Sequence, residues 1–213
     1  MVNYKRNQVE EAISRVFDEQ SAEPSSALRT RIKRLLDSDR ALGRSPRASD
    51  PMLTHYAFYS SESPGRGADV SFSDYEAFAL MLGLQMLSHN WPQSFAVETL
   101  RRYRSSLEAR HAKILKLDRE KLFDRTQIMA NARPGSLAYN TTSPVFLLIW
   151  SDNRYAKDPA AVAPSAEILD EEARAISYTR RPGRSTTWLE LSNPAHVLAH
   201  ELSKTLPRQR GRS

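Results

Sequence analysis

The sequence predicts a mainly α-helical protein with a small β content. Apolar residues recur at helical spacing through most of the first 120 positions. Glycine is scarce, seven in 213 residues, against about 7% in ordinary chains, which speaks against an all-β fold built on many tight turns. Runs suited to strands are few: one near residues 53–72 and two in the last third, at 145–150 and 186–191.

Taken in order, residues 7–17 place Val9, Ala12, Ile13, Val16 and Phe17 on one helix face. Pro24 and its serines break the chain. A second helix is expected over 27–42, with Leu28, Ile32, Leu35 and Leu36 as its apolar side. Ser25 or Ser26 caps its start and Gly43 its end. Its other side carries Arg29, Arg31, Lys33, Arg34 and Arg40, with Asp37 and Asp39 mixed in near the end.

Two prolines make 44–51 a loop. Thr54, Tyr56, Phe58 and Tyr59 predict a strand over 53–59, turning at Pro64-Gly65-Arg66-Gly67 and returning over 68–72 as a hairpin. Ser73 and Glu76 then form a Ser-x-x-Glu capping box ahead of a helix that is apolar nearly all round, over 75–87. Asn90 takes the left-handed cap, and Pro92 follows. A long helix is expected from 94 to 121. Leu100, Tyr103, Leu107, Ile114 and Leu117 fall on its heptad a and d positions, with Arg110 as the exception. That seam either packs within the subunit or forms a dimer contact.

The last third opens on a Pro-Gly turn at 133–135. A buried strand over 145–150, a proline-bounded loop at 158–164, a helix over 166–175, a strand over 186–191 and a helix over 193–206 follow. The expected organisation is an N-terminal domain (1–92), a long helix with a possible dimer contact (93–132), a small α+β module (133–206) and a disordered basic tail (207–213).

Composition narrows the function. Lys and Arg number 31 against 25 Asp and Glu, a formal charge of +6. The basic residues are 24 Arg to 7 Lys, and arginine is the better fork for phosphates and base edges. Cysteine is absent, which removes disulfides, thiolate nucleophiles and Cys-ligated metals. The longest apolar run, 145–150, is far short of the roughly 20 residues of a membrane span. Charges throughout residues 1–20 exclude a secretory signal, so a cytoplasmic protein is expected.

Catalytic constellations fail. His196 and His200 stand four apart with Glu201 beside them, but zinc-peptidase helices put the glutamate directly after the first histidine, where this chain has Val197. The pair is read as two exposed histidines of a surface helix. No nucleophile elbow, phosphate loop or dinucleotide fingerprint is present. Asp170, Glu171 and Glu172 point apart on a helix. Arg180, Arg181 and Arg184 mark a basic turn, read as a solvated loop over a phosphate site. Trp91, Trp150 and Trp188 read as core or interface anchors over a stacking platform. No enzyme, metal or cofactor is expected.

The order helix, basic helix, hairpin, helix, long helix is that of a winged helix-turn-helix. Arg66-Gly67, then Phe72-Ser73-Asp74-Tyr75-Glu76-Ala77-Phe78, then residues 93–102, resemble the MerR-like group of such proteins over about 60–105. In that group an arginine and glycine in the wing lead to an aromatic-Ser/Thr-x-x-acidic cap, a buried helix, and a helix feeding an antiparallel dimer coil. Phe72 stands where the group has tyrosine. The link over 18–26 is longer than the group's tight turn, and its Arg-Tyr-Tyr ending to the second helix is missing.

A recognition helix reads major-groove edges while neighbouring cations neutralise phosphates. Arg29, Lys33 and Arg40 share a face at i, i+4 and i+11, flanked by Arg31 and Arg34. Of these, Arg29, Arg31, Lys33 and Arg34 of the second helix, with Arg66 from the wing and Lys5 and Arg6 before the first helix, are the expected DNA contacts. The expectation is a homodimeric, sequence-specific regulator on double-stranded DNA, with the C-terminal module open to an effector, a protein partner or an extension of the dimer. Residues 1–50 hold only 10 Lys/Arg against 8 Asp/Glu, so the signal lies in the distribution. The alternative is a non-enzymatic protein-interaction adaptor, which a buried basic face on the second helix would favour.

Overall fold

The structure is a computed structural model, and it describes residues 3–17, 23–60, 70–132, 139–152, 164–170, 172–180 and 182–207. The wing tip with Arg66, the turn at 133–135, most of the 158–164 loop, Arg181 and the tail beyond 207 lie outside the described residues. The protein is mainly α-helical with a small β content in two sheets. It divides into two compact units, Met1–Glu108 with Val197–Ser213, and Ala109–His196.

The first unit is built around one buried helix. A short strand β1 (Tyr4–Lys5) leads into α1 (Arg6–Phe17), which buries Val9, Ala12 and Ile13. Helix α2 (Ser26–Ala41) starts at Ser25, whose hydroxyl accepts from the Leu28 N–H at 3.1 Å. It ends at Gly43, which has φ of 64°. That left-handed conformation suits glycine. Helix α2 buries Ile32, Leu35 and Leu36, each contributing roughly 1.5–3 kcal/mol relative to exposure.

A single turn, α3 (Pro51–Thr54), follows with Asp50 as its cap. Strand β2 (Ser71–Phe72) precedes α4 (Asp74–Ser88). The capping box forms: the Ser73 hydroxyl accepts from the Glu76 N–H at 3.2 Å, and Glu76 Oε2 accepts from the Ser73 N–H at 2.8 Å. Helix α4 is buried almost all round, and Gly83 within it lets Leu35, Leu100 and Phe58 approach closely. The helix closes in a Schellman pattern. Asn90 has φ of 63°, the Trp91 N–H donates to the Met86 carbonyl, and the Asn90 N–H to that of Leu87. The Trp91 ring stacks against Phe95.

Two expectations are corrected in this unit. Residues 53–59 do not form a strand, and β2 pairs instead with β1, Tyr4 opposite Phe72 and Lys5 opposite Ser71. The backbone of 56–59 is satisfied by side chains. Asp39 accepts from the Ala57 and Phe58 N–H groups at 3.1 and 3.0 Å. Arg104 donates to the Tyr56, Ala57 and Tyr59 carbonyls at 2.7, 3.3 and 2.8 Å. With its polar groups taken, the segment bends at Ala57 and Phe58 and pairs with no strand among the described residues.

The long helix is also broken. It runs as α5 (Gln93–Arg102), then α6 (Arg104–Ile114) after a turn at Tyr103, then the short α7 (Arg119–Leu122) and α8 (Arg125–Asn131). Asp118 and Asp124 cap the last two and so mark where the chain restarts. Leu100, Leu107 and Ile114 are buried by their own chain, while Leu117 is exposed. Three of the five heptad residues thus fill internal cores.

The second unit holds an antiparallel sheet in the order β4-β3-β5, made of β3 (Phe146–Asp152), β4 (Ser165–Leu169) and β5 (Arg184–Glu190). Residues 166–169, expected to be helical, are the strand that completes the second side of β3. A central apolar strand needs partners on both sides for its backbone groups. The helix α9 (Glu172–Thr179) begins only afterwards. Leu148 and Leu169 form a core packed by Trp150, Tyr178 and Trp188. Arg184, expected in a solvated turn, lies in β5 and forms a bidentate pair with Asp152 at 2.6 and 2.9 Å. Helix α10 (Ser192–Lys204) is opened by Glu190, which accepts from the Ser192 and Asn193 N–H groups.

Candidate nucleic-acid interface

The candidate interface is the solvent side of α2 together with the start of α1. Its framework is a buried ion pair whose acid, Asp39, the sequence reading placed on the charged side of the helix. Asp39 of α2 and Arg101 of α5 are both wholly buried, with Arg101 Nε donating to Asp39 Oδ1 at 2.6 Å. Arg101 also donates to the Gly43 and Met52 carbonyls at 2.8 and 3.2 Å and to the carbonyl of Asp39 itself. The donors of Arg101 and the carboxylate of Asp39 are thereby satisfied, as a buried pair requires. The pair fixes the C-terminal half of α2, and Gln93 holds the same side by donating to the Arg34 carbonyl and to Ser38. A second pair, Arg104 with Glu76 at 3.2 Å, is buried beside it.

On this framework the predicted contact residues divide in two. Arg6 donates to Glu10 Oε1 at 2.7 Å, and Arg29 lies 3.9 Å from Glu10 Oε2 and 3.5 Å from Glu23. Both predicted cations therefore meet one carboxylate of α1. Lys5 is exposed on β1 opposite Ser71. Arg31, Lys33 and Arg34 are exposed, and no acidic side chain of the described residues pairs with them. Arg40 pairs with Asp37 at 3.5 Å.

Helix geometry spreads these cations. At about 100° per residue, Arg29 and Lys33 lie on the flank towards α1, Arg31 about 200° round from Arg29, and Arg34 between them. The basic residues thus occupy the whole solvent arc of α2 instead of one stripe. Such an arc can neutralise phosphates on both sides of a groove while its centre meets base edges.

The histidines resolve differently from their expectation. His196 is buried, with its Nε2 bonded to the Ile114 carbonyl at 3.0 Å and its ring edge-on to Phe123. His200 is exposed. A carbonyl partner requires Nε2 to carry the proton, so that nitrogen is not available to a metal. Burial lowers the pKa of His196, and burial with the nearby His196 lowers that of His111 to about 4. Among the described residues no group of three or more His, Asp or Glu is placed to hold a metal ion. No helix among them is long and apolar enough to cross a membrane. Trp91 is buried, and Trp150 and Trp188 pack the sheet core, Trp150 between Tyr178 at 4.7 Å and Arg184 at 5.5 Å.

Asp39, Arg101, Arg104 and Glu10 are the determinants that sequence reasoning missed. Asp39 falls four residues after Leu35 on the apolar side of α2, and Arg104 falls between Leu100 and Leu107 on the buried side of its helix. Charges in such positions are the available signal. No family model and no curated protein matches the chain.

Proposed function

We propose that the protein is a DNA-binding transcriptional regulator that reads double-stranded DNA with α2 and acts by occupancy, without catalysis. The carrying observation is the solvent arc of α2, where Arg31, Lys33 and Arg34 stand exposed with no acidic partner among the described residues. Lys5 and Arg6, at the start of the chain, add phosphate contacts. The sequence resemblance of residues 60–105 to the MerR-like group of helix-turn-helix proteins supports this reading, although the expected 53–72 hairpin is not formed.

The exposed arc weighs against the adaptor alternative, which a buried basic face would favour, while the missing strand at 53–59 weighs towards it. A dimer on a two-fold operator would meet through a face other than Leu100, Leu107 and Ile114, which are already covered.

The test is fluorescence anisotropy on genomic fragments flanking the gene, at two salt concentrations and with competitor DNA. Tight binding that weakens steeply with salt and survives competitor is the expected result. Binding erased by competitor leaves a merely basic protein, and no binding at low salt overturns the reading.

A further inference from the structure

The first unit carries a groove of about 260 Å³ between the end of α1, the start of α2 and the end of α4. Its walls are Phe17, Leu28 and Leu84, with the Ser25 and Ser88 hydroxyls and Arg31 also lining it. Leu84 forms a buried floor at 4% exposure, whereas Phe17 leaves 44% of its surface open. An apolar body would remove that aromatic surface from water. The cation of the lining, Arg31, has no acidic partner among the described residues. A planar guanidinium beside apolar walls is the complement of a molecule with a hydrocarbon body and one carboxylate.

We propose that this groove binds a small apolar carboxylate of medium-chain fatty-acid size, with its carboxylate on Arg31 and its hydrocarbon against Phe17, Leu28 and Leu84. The volume sits just below the range of pockets for drug-sized ligands, which limits the occupant to a short chain. Arg31 belongs to the DNA arc as well, so this second step rests on the DNA-binding reading. A carboxylate there occupies the guanidinium donors and cancels one of the three exposed cations of α2 that have no acidic partner among the described residues. Ligand and DNA then compete for one side chain, and each weakens the other by the same factor.

The experiment titrates isotope-labelled full-length protein with sodium octanoate and, separately, with 1-octanol, reading amide shifts by NMR. Octanoate is expected to shift Leu28, Arg31, Leu84 and Ser88 and to bind about tenfold more tightly than octanol, the effect of one charge-assisted pair. Arg31→Gln, a change at an exposed position, should erase that preference by weakening octanoate about tenfold more than octanol. Equal affinities in the native chain, shifts mapped away from the groove, or a preference that survives in R31Q would overturn the site.

In parallel, saturating octanoate should weaken binding to a DNA fragment roughly tenfold, as the loss of one arginine contact predicts. Unchanged DNA affinity with octanoate bound overturns the competition. A chain that binds octanoate but no DNA refutes the DNA reading and the competition, and leaves the groove. A chain that binds DNA but no octanoate refutes the groove alone.

Discussion

Glu10 of α1 lies 3.9 Å from Arg29 of α2, so an acid of the first helix restrains a cation of the second. The same carboxylate holds Arg6 at 2.7 Å. Two of the predicted phosphate contacts are thus partly neutralised within the protein. Glu10→Gln should release Arg6 and leave Arg29 with Glu23 alone, at 3.5 Å. DNA affinity is expected to rise, and the dependence of log K on log salt to steepen by up to about 2. The loss of stability should stay near 1 kcal/mol, because these pairs are partly solvated. Weaker DNA binding in a folded E10Q protein would remove Arg6 and Arg29 from the interface.

Arg31, Lys33 and Arg34 replaced together by alanine should act in the opposite direction. All three are exposed, so thermal unfolding should move little. DNA binding should weaken by a factor of about 100 or more, and the salt slope should flatten by about 3. Anisotropy titrations at several salt concentrations read both quantities. A slope identical to that of the native chain would mean that another surface meets the DNA.

Asp39→Asn is expected to destabilise the chain by about 3–5 kcal/mol, because it leaves Arg101 charged and buried without its counter-ion. That is a large part of the total stability of an ordinary domain, about 5–15 kcal/mol. Adding Arg101→Met should not rescue it. The double variant removes the charge but orphans the Gly43 and Met52 carbonyls that Arg101 now satisfies. Urea midpoints of the two single variants and the double variant check this; recovery in the double would show that the pair's charges matter and its backbone bonds do not.

Acid should loosen the second unit. Burial, with the neighbouring His196, lowers His111 to about 4 from 6.5, so the folded state keeps it neutral while the unfolded chain takes up a proton. Its contribution is fully present above the unfolded value. It declines as the pH falls from about 6.5 towards 4, by up to roughly 3 kcal/mol over that window. His196, lowered in the same direction by burial, adds to the slope. His111→Gln should flatten the fall in stability between those pH values, followed by denaturant unfolding. An unchanged slope in that variant would place the acid sensitivity elsewhere.

Local signals carried far into this fold, and distant ones did not. The Ser25 cap, the Ser73–Glu76 box, the left-handed Asn90 and the strand at 145–150 each depend on residues within a few positions of one another, and all four are formed. The strand expected over 53–59 failed because its aromatic pattern is real while its backbone partners, Asp39 and Arg104, are side chains 18 and more positions away. The break at Tyr103 and the strand at Ser165–Leu169 were likewise decided by packing and pairing, which override propensity. Of the candidate interface, the exposed cations of α2 were legible as a charged helix face. Glu10, which holds two of the seven expected contacts, was not, because nothing in the spacing of α1 points to Arg29.

Arg104 also has a consequence for the fate of the chain in solution. Tyr56, Ala57, Phe58 and Tyr59 form an aromatic, uncharged segment of the kind that stacks into intermolecular β-structure when its edge is bare. Three of its four carbonyls are closed off by one guanidinium, and two of its N–H groups by one carboxylate. Arg104 therefore occupies the backbone of this buried aromatic segment with side-chain charge, where other proteins use a neighbouring strand. In a chain that loses it, insolubility would precede any loss of helix.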